Sequence, residues 1–154
     1  MPHLDAAYNL ARWLTRNPAE ADDIVQDAML RAFRAFDGFR GDAAKPWLLA
    51  IVRNCHLNAL GQKKRQAAVP LEDQIVAGDP TPEGHVLAAD DGRRINAALA
   101  KLPEEFREVV VLRELEEMSY REIADVTGAP IGTVMSRLAR GRALLRVELA
   151  GDQT

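Results

Sequence analysis

Apolar residues recur at helical spacing along most of the chain, and two amphipathic helices are predicted near its start. The first helix covers about residues 4–15. Asn17 is a favourable N-cap for the second, and Pro18 suits its first position. The stripe of the first helix contains Leu4, Ala7, Leu10, Ala11 and Leu14. The stripe of the second contains Ala21, Ile24, Val25, Ala28, Ala32, Phe33 and Phe36.

A third helix is predicted after a break that contains Gly38, Gly41 and Pro46. Pro46 would open this helix, because proline is well tolerated in the first turn. The helix would end in the basic residues Lys63, Lys64 and Arg65. Its buried side is expected to contain Leu48, Leu49, Val52, Cys55, His56 and Ala59.

Residues 66–81 contain two prolines and a glycine without clear periodicity, and they are interpreted as a flexible linker. Beyond the linker, Thr81 and Pro82 favour a helix start, with a possible interruption near Gly92, and Pro103 starts another helix. Period-two alternation is not found between turn signals, so no strands are expected. The sequence therefore predicts an all-α protein with two small helical domains, 1–65 and 82–154.

The segment from Ser119 onward has the signals of two short helices joined by a tight turn. Ser119 and Glu122 fit a capping box, in which the serine oxygen accepts from the first turn and the glutamate reaches back. Gly128 can take the left-handed conformation that ends a helix, and Pro130 prevents straight continuation. The second helix would begin at Gly132 or Thr133. This pattern is typical of a helix-turn-helix.

A rotation of about 100° per residue divides the second of these helices into two faces. The inward face is expected to contain Ile131, Val134, Leu138, Gly141 and Leu145. The outward face would present Thr133, Ser136, Arg137 and Arg140. Hydroxyls and arginines suit a helix that lies in the major groove of DNA. The alternative is an ordinary helical hairpin with a basic solvent-exposed side.

The distribution of charge is compatible with binding to nucleic acid although the net charge is −3. Residues 53–65 and 137–146 each contain four basic residues and no acidic residue, while residues 70–91 contain six acidic residues and no Lys or Arg. Two basic islands can bind a polyanion even when the total charge is negative. Charge alone leaves open that these are solvated helix faces beside a polar linker.

Several function classes lack support in the sequence. The chain has no apolar run long enough to span a membrane and no secretory signal pattern, so a cytoplasmic location is expected. Cys55 is the single cysteine and is expected to be a small core residue. His3, His56 and His85 are far apart, and nucleotide-binding, HExxH and CxxC motifs are absent. We expect no enzymatic activity, no cofactor and no metal ion.

Two segments together resemble a known protein family. The segment LPEEFREVVVLRELEEMSYREIADVTGAPIGTVMSRLARGRALLR resembles the promoter-binding C-terminal domain of sigma-70 family RNA polymerase sigma factors. NPAEADDIVQDAMLRAFRAFDGFRGDAAKPWLLAIVRN looks like the N-terminal domain of that family, which binds core polymerase and melts the promoter. The order of the segments and the short linker are similar to the extracytoplasmic-function (ECF) group.

The resemblance implies a role for particular residues. The core-polymerase-binding positions would be Asp23, Gln26 and Asp27. The −10 element would be contacted by Arg40, Trp47, Arg53, Asn54, Lys63, Lys64 and Arg65, although Trp47 also suits core packing. The −35 element would be contacted by Thr133, Ser136, Arg137 and Arg140. Two positions depart from the family pattern: Met135 replaces a frequent Lys or Arg, and Ala139 is small.

The resemblance implies a sigma factor that binds core RNA polymerase and directs promoter-specific initiation without catalysing a reaction itself. It also implies an anti-sigma factor as a second protein partner. The main alternative is a helix-turn-helix regulator that binds DNA on its own, usually as a symmetric dimer. The residues give less support to an enzyme whose site converges only in space, or to a purely structural adaptor.

Overall fold

The computed structural model describes residues 3–35, 44–66 and 89–151, and the regular structure in these ranges is entirely helical. Contacts divide the chain into two compact units, Met1–Pro80 and Thr81–Thr154. The predicted all-α fold with two helical domains is therefore confirmed. Nearly all of the predicted linker, including residues 67–81, lies outside the described residues. Among the described helices, none is both long and apolar enough to cross a membrane.

The first unit is a three-helix arrangement in which every helix packs against the other two. It consists of α1 (Leu4–Thr15), α2 (Pro18–Ala35) and α3 (Ala44–Gln66). Apart from Trp13, its apolar interior is built from aliphatic and small side chains, which let the helices approach closely. The buried apolar residues are Ala7, Leu10, Ala11, Trp13, Leu14, Ala21, Ile24, Val25, Ala28, Ala32, Leu48, Leu49, Val52 and Cys55.

The turn between α1 and α2 follows from local signals. The amide of Arg16 donates to the carbonyl of Arg12 at 2.8 Å while Arg16 itself has a φ of 57°, which ends α1 in a left-handed residue. The Oδ1 atom of Asn17 accepts from the amide of Glu20 at 3.1 Å. The predicted N-cap of α2, with Pro18 as the first helical residue, is therefore confirmed.

Four expectations about the first unit need correction. Leu4 is predicted in the apolar stripe of α1 but is 42% exposed at the first position of that helix. Phe33 is predicted in the buried stripe but is 81% exposed, because it lies about 100° around α2 from buried Ala32. Ala59 is half-buried rather than buried. Helix α3 begins at Ala44, so Pro46 lies in its first turn instead of opening it. Phe36, expected in the same stripe as Phe33, lies outside the described residues.

In the second unit, three helices pack on one long C-terminal helix. The helices are α4 (Ala89–Ala100), α5 (Glu104–Val110), α6 (Tyr120–Thr127) and α7 (Ile131–Gly151), and a π-helical turn at Val111–Leu115 extends α5. The interruption predicted near Gly92 is wrong, because α4 runs through that residue. The buried apolar residues are Ala98, Leu99, Leu102, Val109, Val110, Val111, Leu112, Met118, Ile123, Val126, Val134 and Leu138.

Two specific contacts fix how α4 and α7 meet α5. The buried guanidinium of Arg107 donates from Nη1 to the carbonyl of Leu102 at 3.0 Å, which satisfies a backbone acceptor beyond the end of α4. At the other contact, a Cβ atom on Gly141 would lie 2.7 Å from Cγ2 of Val110 and 3.3 Å from the carbonyl oxygen of Phe106. Glycine therefore allows α7 to lie closer to α5 than any larger residue would.

Candidate nucleic-acid interface

Helix α6, the first helix of the predicted helix-turn-helix, begins with a reciprocal cap. The Oγ atom of Ser119 accepts from the amide of Glu122 at 3.1 Å, and Oε1 of Glu122 accepts from the amide of Ser119 at 2.9 Å. Both bonds satisfy amides that have no partner within the helix. The predicted capping box is confirmed.

The turn is made as the sequence predicts. Gly128 has a φ of 74°, and its amide donates to the carbonyl of Ala124 at 2.8 Å, which ends α6. The amide of Ala129 donates to Oγ1 of Thr127 at 3.3 Å and holds the turn. Helix α7 then begins at Ile131, slightly before the predicted start at Gly132 or Thr133. The helix-turn-helix is confirmed.

The inward face of α7 contains three of the five residues predicted for it. Val134, Leu138 and Gly141 are buried, and Leu145 is half-buried. Ile131 is 44% exposed, so its predicted burial is wrong. As the first residue of α7 it lines an open depression beside the α6–α7 turn, and little of the unit lies over it.

The outward face of α7 is polar and basic, but its residues differ in exposure. Ser136 and Arg140 are exposed, whereas Thr133 and Arg137 are half-buried. The Arg140 guanidinium lies 5.8 Å from the centre of the Phe106 ring, a cation–π distance that restricts its orientation without removing its charge. These four predicted residues lie along one helix, with Ser136 and Arg140 the most accessible.

Sequence reasoning did not include the other arginines of α7 among the site residues. Arg146 is exposed, and Arg142 contributes less free charge because its Nη2 lies 3.3 Å from Oε2 of Glu114. The positions of both arginines along α7 could be read from the sequence. The ion pair of Arg142 could not, because Glu114 is distant in sequence and only the structure shows that the two side chains are close.

The second basic island lies on α3 in the first unit. Asn54, Lys63, Lys64 and Arg65 are exposed, whereas Trp47 and Arg53 are half-buried. Lys63 forms an ion pair with Glu20 of α2, so part of the basic island is locally neutralised. Arg40, the remaining residue predicted for this site, lies outside the described residues. The exposed residues predicted for this site, Asn54, Lys63, Lys64 and Arg65, therefore all lie on the solvent-facing surface of α3.

The third candidate surface is the side of α2 that faces away from the core, and we call it the α2 outer face. It consists of Asp23, Gln26, Leu30 and Phe33, all exposed. Leu30 is 59% exposed and Phe33 is 81% exposed. Sequence reasoning did not include either apolar member in this surface, although Leu30 is four residues beyond Gln26 and Phe33 is three residues beyond Leu30, spacings that place them on one face.

Asp27 has a different environment from its neighbours on the α2 outer face. Its Oδ1 accepts from Nε of Arg31 at 3.1 Å. Burial raises the pKa of the Cys55 thiol to about 11, and the nearby carboxylate of Asp27 contributes to that rise in pKa. Asp27 is therefore half-buried between α2 and α3, and Cys55 is a buried core residue as expected.

The helix-turn-helix with its basic outer face defines the class to which the second unit belongs, that of DNA-binding helical domains. Comparison with protein families assigns both units. The sigma-70 region 2 family matches residues 1–66, and the sigma-70 region 4 family matches residues 92–145.

Individual relatives agree with this assignment. The chain is 38% identical over 151 residues to the ECF RNA polymerase sigma factor SigE of Mycolicibacterium smegmatis, covering 96% of this chain and 59% of that protein. It is 33% identical over 156 residues to the ECF RNA polymerase sigma factor SigW of Bacillus subtilis, covering 94% of this chain and 83% of that protein. The chain belongs to the ECF group of the sigma-70 family, whose members are transcription initiation factors.

A solved structure has the same arrangement of helices. The sigma factor RpoE from Bartonella quintana, crystallised with the anti-sigma factor NepR, superposes with a TM-score of 0.84 at 27% identity. The superposition covers 97% of this chain and 92% of that one. The two-unit helical fold is therefore shared with a sigma factor.

Proposed function

We propose that this protein binds core RNA polymerase and directs initiation at a specific set of promoters. The observation that carries the proposal is the exposed Ser136 and Arg140 on the second helix of a capped helix-turn-helix, in a chain whose other unit matches sigma region 2. In this role the protein catalyses no reaction itself and acts in the cytoplasm, where core polymerase and the chromosome are.

We assign the −35 element to α7. A helix of this type inserts its N-terminal half into the major groove, where arginine contacts guanine edges and hydroxyls contact bases or phosphates. Exposed Ser136 and Arg140 would reach the bases, and half-buried Thr133 and Arg137 would reach the groove wall. Arg146 lies further along the helix, at a position suited to a phosphate.

We assign the −10 element to α3. The exposed amide of Asn54 can both donate to and accept from an unpaired base. Lys64 and Arg65 would hold phosphates, and Lys63 would do so after exchanging its ion pair with Glu20. Half-buried Trp47 and Arg53 lie earlier on the same helix, and Arg40 belongs to the same proposed site.

We assign core-polymerase docking to the α2 outer face. Interfaces combine an apolar centre with polar groups at the rim, and Leu30 and Phe33 supply apolar area beside Asp23 and Gln26. Adjacent exposed side chains of this size are typical of an interaction site. Asp27 would act mainly by fixing α2 against α3, because its carboxylate already contacts Arg31 and approaches Cys55.

We also propose an anti-sigma factor as a regulatory partner. The support is the shared fold with RpoE, a sigma factor whose structure was solved in complex with the anti-sigma factor NepR. A partner of this kind would compete with core polymerase or with DNA for the surfaces described above. The linker between the two units would set the spacing between the −10 and −35 contacts.

Reconstitution with bacterial core polymerase tests the proposed function. The protein should direct transcription from a subset of a genomic promoter library, and core polymerase alone should not. Tight, sequence-specific binding by the protein without polymerase would instead favour a helix-turn-helix regulator. The absence of any promoter-dependent transcript would overturn the proposal.

A further inference from the structure

An apolar side chain occupies the exposed side of α7 beside the proposed DNA contacts. Met135 is 50% exposed and is adjacent in sequence to exposed Ser136. Ile131, one turn earlier, is 44% exposed, and Ala139, one turn later, is exposed as well. A spacing of four residues places these three residues along one flank of the helix.

The charge around this apolar flank indicates what covers it. From Ile131 to Val147 the chain contains four arginines and no acidic residue. Of these, Arg140 and Arg146 are exposed, while Arg142 is paired with Glu114. An apolar strip embedded in unbalanced positive charge is complementary to a polyanion that also offers apolar groups, and the major groove of DNA has both properties.

The chemistry of methionine restricts which base suits this position. A thioether donates no hydrogen bond and is only a weak acceptor, so it would leave the polar edges of guanine, adenine or cytosine without a partner. Thymine alone presents a methyl group in the major groove. Contact between that methyl group and Met135 would remove apolar surface from water on both partners.

We propose that Met135 is a specificity-determining residue that contacts the 5-methyl group of a thymine within the −35 element. This inference rests on the proposed function and adds a base preference at one position. Ser136 and Arg140 make the polar contacts on the adjacent part of α7, while Met135 selects by apolar contact. Ala139, one turn further along the flank, leaves room for the duplex to approach Met135.

The test uses holoenzyme formed from the full chain and core polymerase. A promoter is first selected from a library randomised over the −35 region, and each thymine of its −35 element, on either strand, is then replaced singly by deoxyuridine. This replacement removes only the methyl group. One position should lose about fourfold in wild-type affinity, the effect of one buried methyl group, while the others change little.

Variants assign that loss to a side chain. With Met135→Ala the same deoxyuridine substitution should have less than about a twofold effect, whereas Val147→Ala should keep the full effect. Val147 is a suitable control because it is an exposed apolar residue on the same helix, 66% exposed and well beyond the proposed contact. Met135→Arg should shift the preferred base at that position toward guanine, since arginine reads guanine.

The outcomes separate this inference from the proposed function. If the wild-type holoenzyme selects no promoter, the proposed function fails. If it selects a promoter whose −35 element contains no thymine, or if deoxyuridine has the same effect with Met135 and with Ala at that position, the Met135 inference is overturned and the proposed function stands. Circular dichroism of each variant shows whether its fold is retained. We expect the Met135 variants to keep the fold, because the Met135 side chain is 50% exposed.

Discussion

At the scale of single residues, Gly141 determines how closely α7 approaches α5. A methyl group added there would lie 2.7 Å from Cγ2 of Val110, a buried and β-branched residue with little freedom to move. Overpacking costs about 1–3 kcal/mol, and alanine regains about 1 kcal/mol of helix propensity. The net expectation is that Gly141→Ala lowers the free energy of unfolding by up to about 2 kcal/mol, measured by urea denaturation followed by circular dichroism.

Gly132 supplies the matched control for Gly141. It is in the same helix, and a Cβ atom there would have nothing within 4 Å. Gly132→Ala should therefore raise the free energy of unfolding, by up to about 1 kcal/mol. Equal stabilisation by both substitutions would show that α5 and α7 do not need glycine at their contact.

The left-handed backbone conformation of Arg16 leads to a second prediction about a single residue. Its φ of 57° costs a residue with a side chain about 1–2 kcal/mol, and glycine avoids most of that cost. The greater flexibility of glycine in the unfolded chain offsets part of this gain, so the net effect of Arg16→Gly should be to stabilise the first unit by about 0.5–1 kcal/mol. Fluorescence of buried Trp13, one turn earlier on α1, reports this change in urea.

The control for Arg16 is Gln62→Gly, at an exposed position with helical geometry on α3. That substitution should destabilise the unit by about 0.5–1 kcal/mol, because glycine is unfavourable in a helix interior. A loss of stability in both variants would contradict the role assigned to the left-handed conformation of Arg16.

At the scale of secondary-structure elements, α6 is only eight residues long and depends on its cap. Ser119→Ala removes the acceptor of the Glu122 amide, and we expect a loss of about 0.5–2 kcal/mol in the free energy of unfolding. Ser136→Ala is the control, because that exposed hydroxyl donates to the carbonyl of Thr133 within α7 and caps no helix. Thermal unfolding followed by circular dichroism should show a lower Tm for the first variant but not for the second.

The elements whose signals are local were predictable from the sequence. The bounds of α1, the cap at Asn17 and the capping box at Ser119 depend on residues within one turn of each other. The π-helical turn at Val111–Leu115 was not predicted, because its apolar periodicity differs little from that of an α-helix. The exposure of Phe33 was missed for a related reason, since an apolar residue next to buried Ala32 still fits a broad helical stripe.

Contacts between helices could not be predicted from the sequence, even for residues that the sequence indicated as exposed or polar members of a candidate site. The sequence indicated Lys63 and Asp27 as candidate site residues, but their partners, Glu20 for the first and Cys55 for the second, become visible only when α2 packs on α3. The same holds for the ion pair of Arg142 with Glu114. The ion pairs of Lys63 and Arg142 reduce the free charge of the two basic islands, which a count of charged residues in the sequence overstates.

At the scale of the whole molecule, a net charge of −3 coexists with two basic surfaces that we assign to DNA. Arg140→Ala should weaken promoter binding by the holoenzyme by about 1–3 kcal/mol. Arg93→Ala, an exposed arginine on α4, is the control and should leave affinity unchanged. Affinity measured against salt concentration then distinguishes the contact, because loss of a phosphate contact lowers the salt slope by about one and loss of a base contact does not.

The α2 outer face leads to a prediction about assembly with polymerase. Asp23→Lys and Phe33→Ser should each weaken binding to core polymerase by about 1–2 kcal/mol, because one reverses a rim charge and the other removes exposed apolar area from the proposed interface. Asp23 is preferred to Asp27 for this test, since Asp27 contacts Arg31 and Cys55 and its reversal would also disturb the packing of α2 on α3.

Leu57→Ala provides the matched control for docking, because Leu57 is 43% exposed but lies on α3. Titration of labelled polymerase with each variant should place Leu57→Ala at the wild-type Kd and the two α2 variants about five- to thirtyfold above it. Weakened binding in all three variants would indicate a general disturbance of the first unit and not a specific contact on the α2 outer face. Wild-type binding in both α2 variants would move the polymerase contact to another face of the first unit.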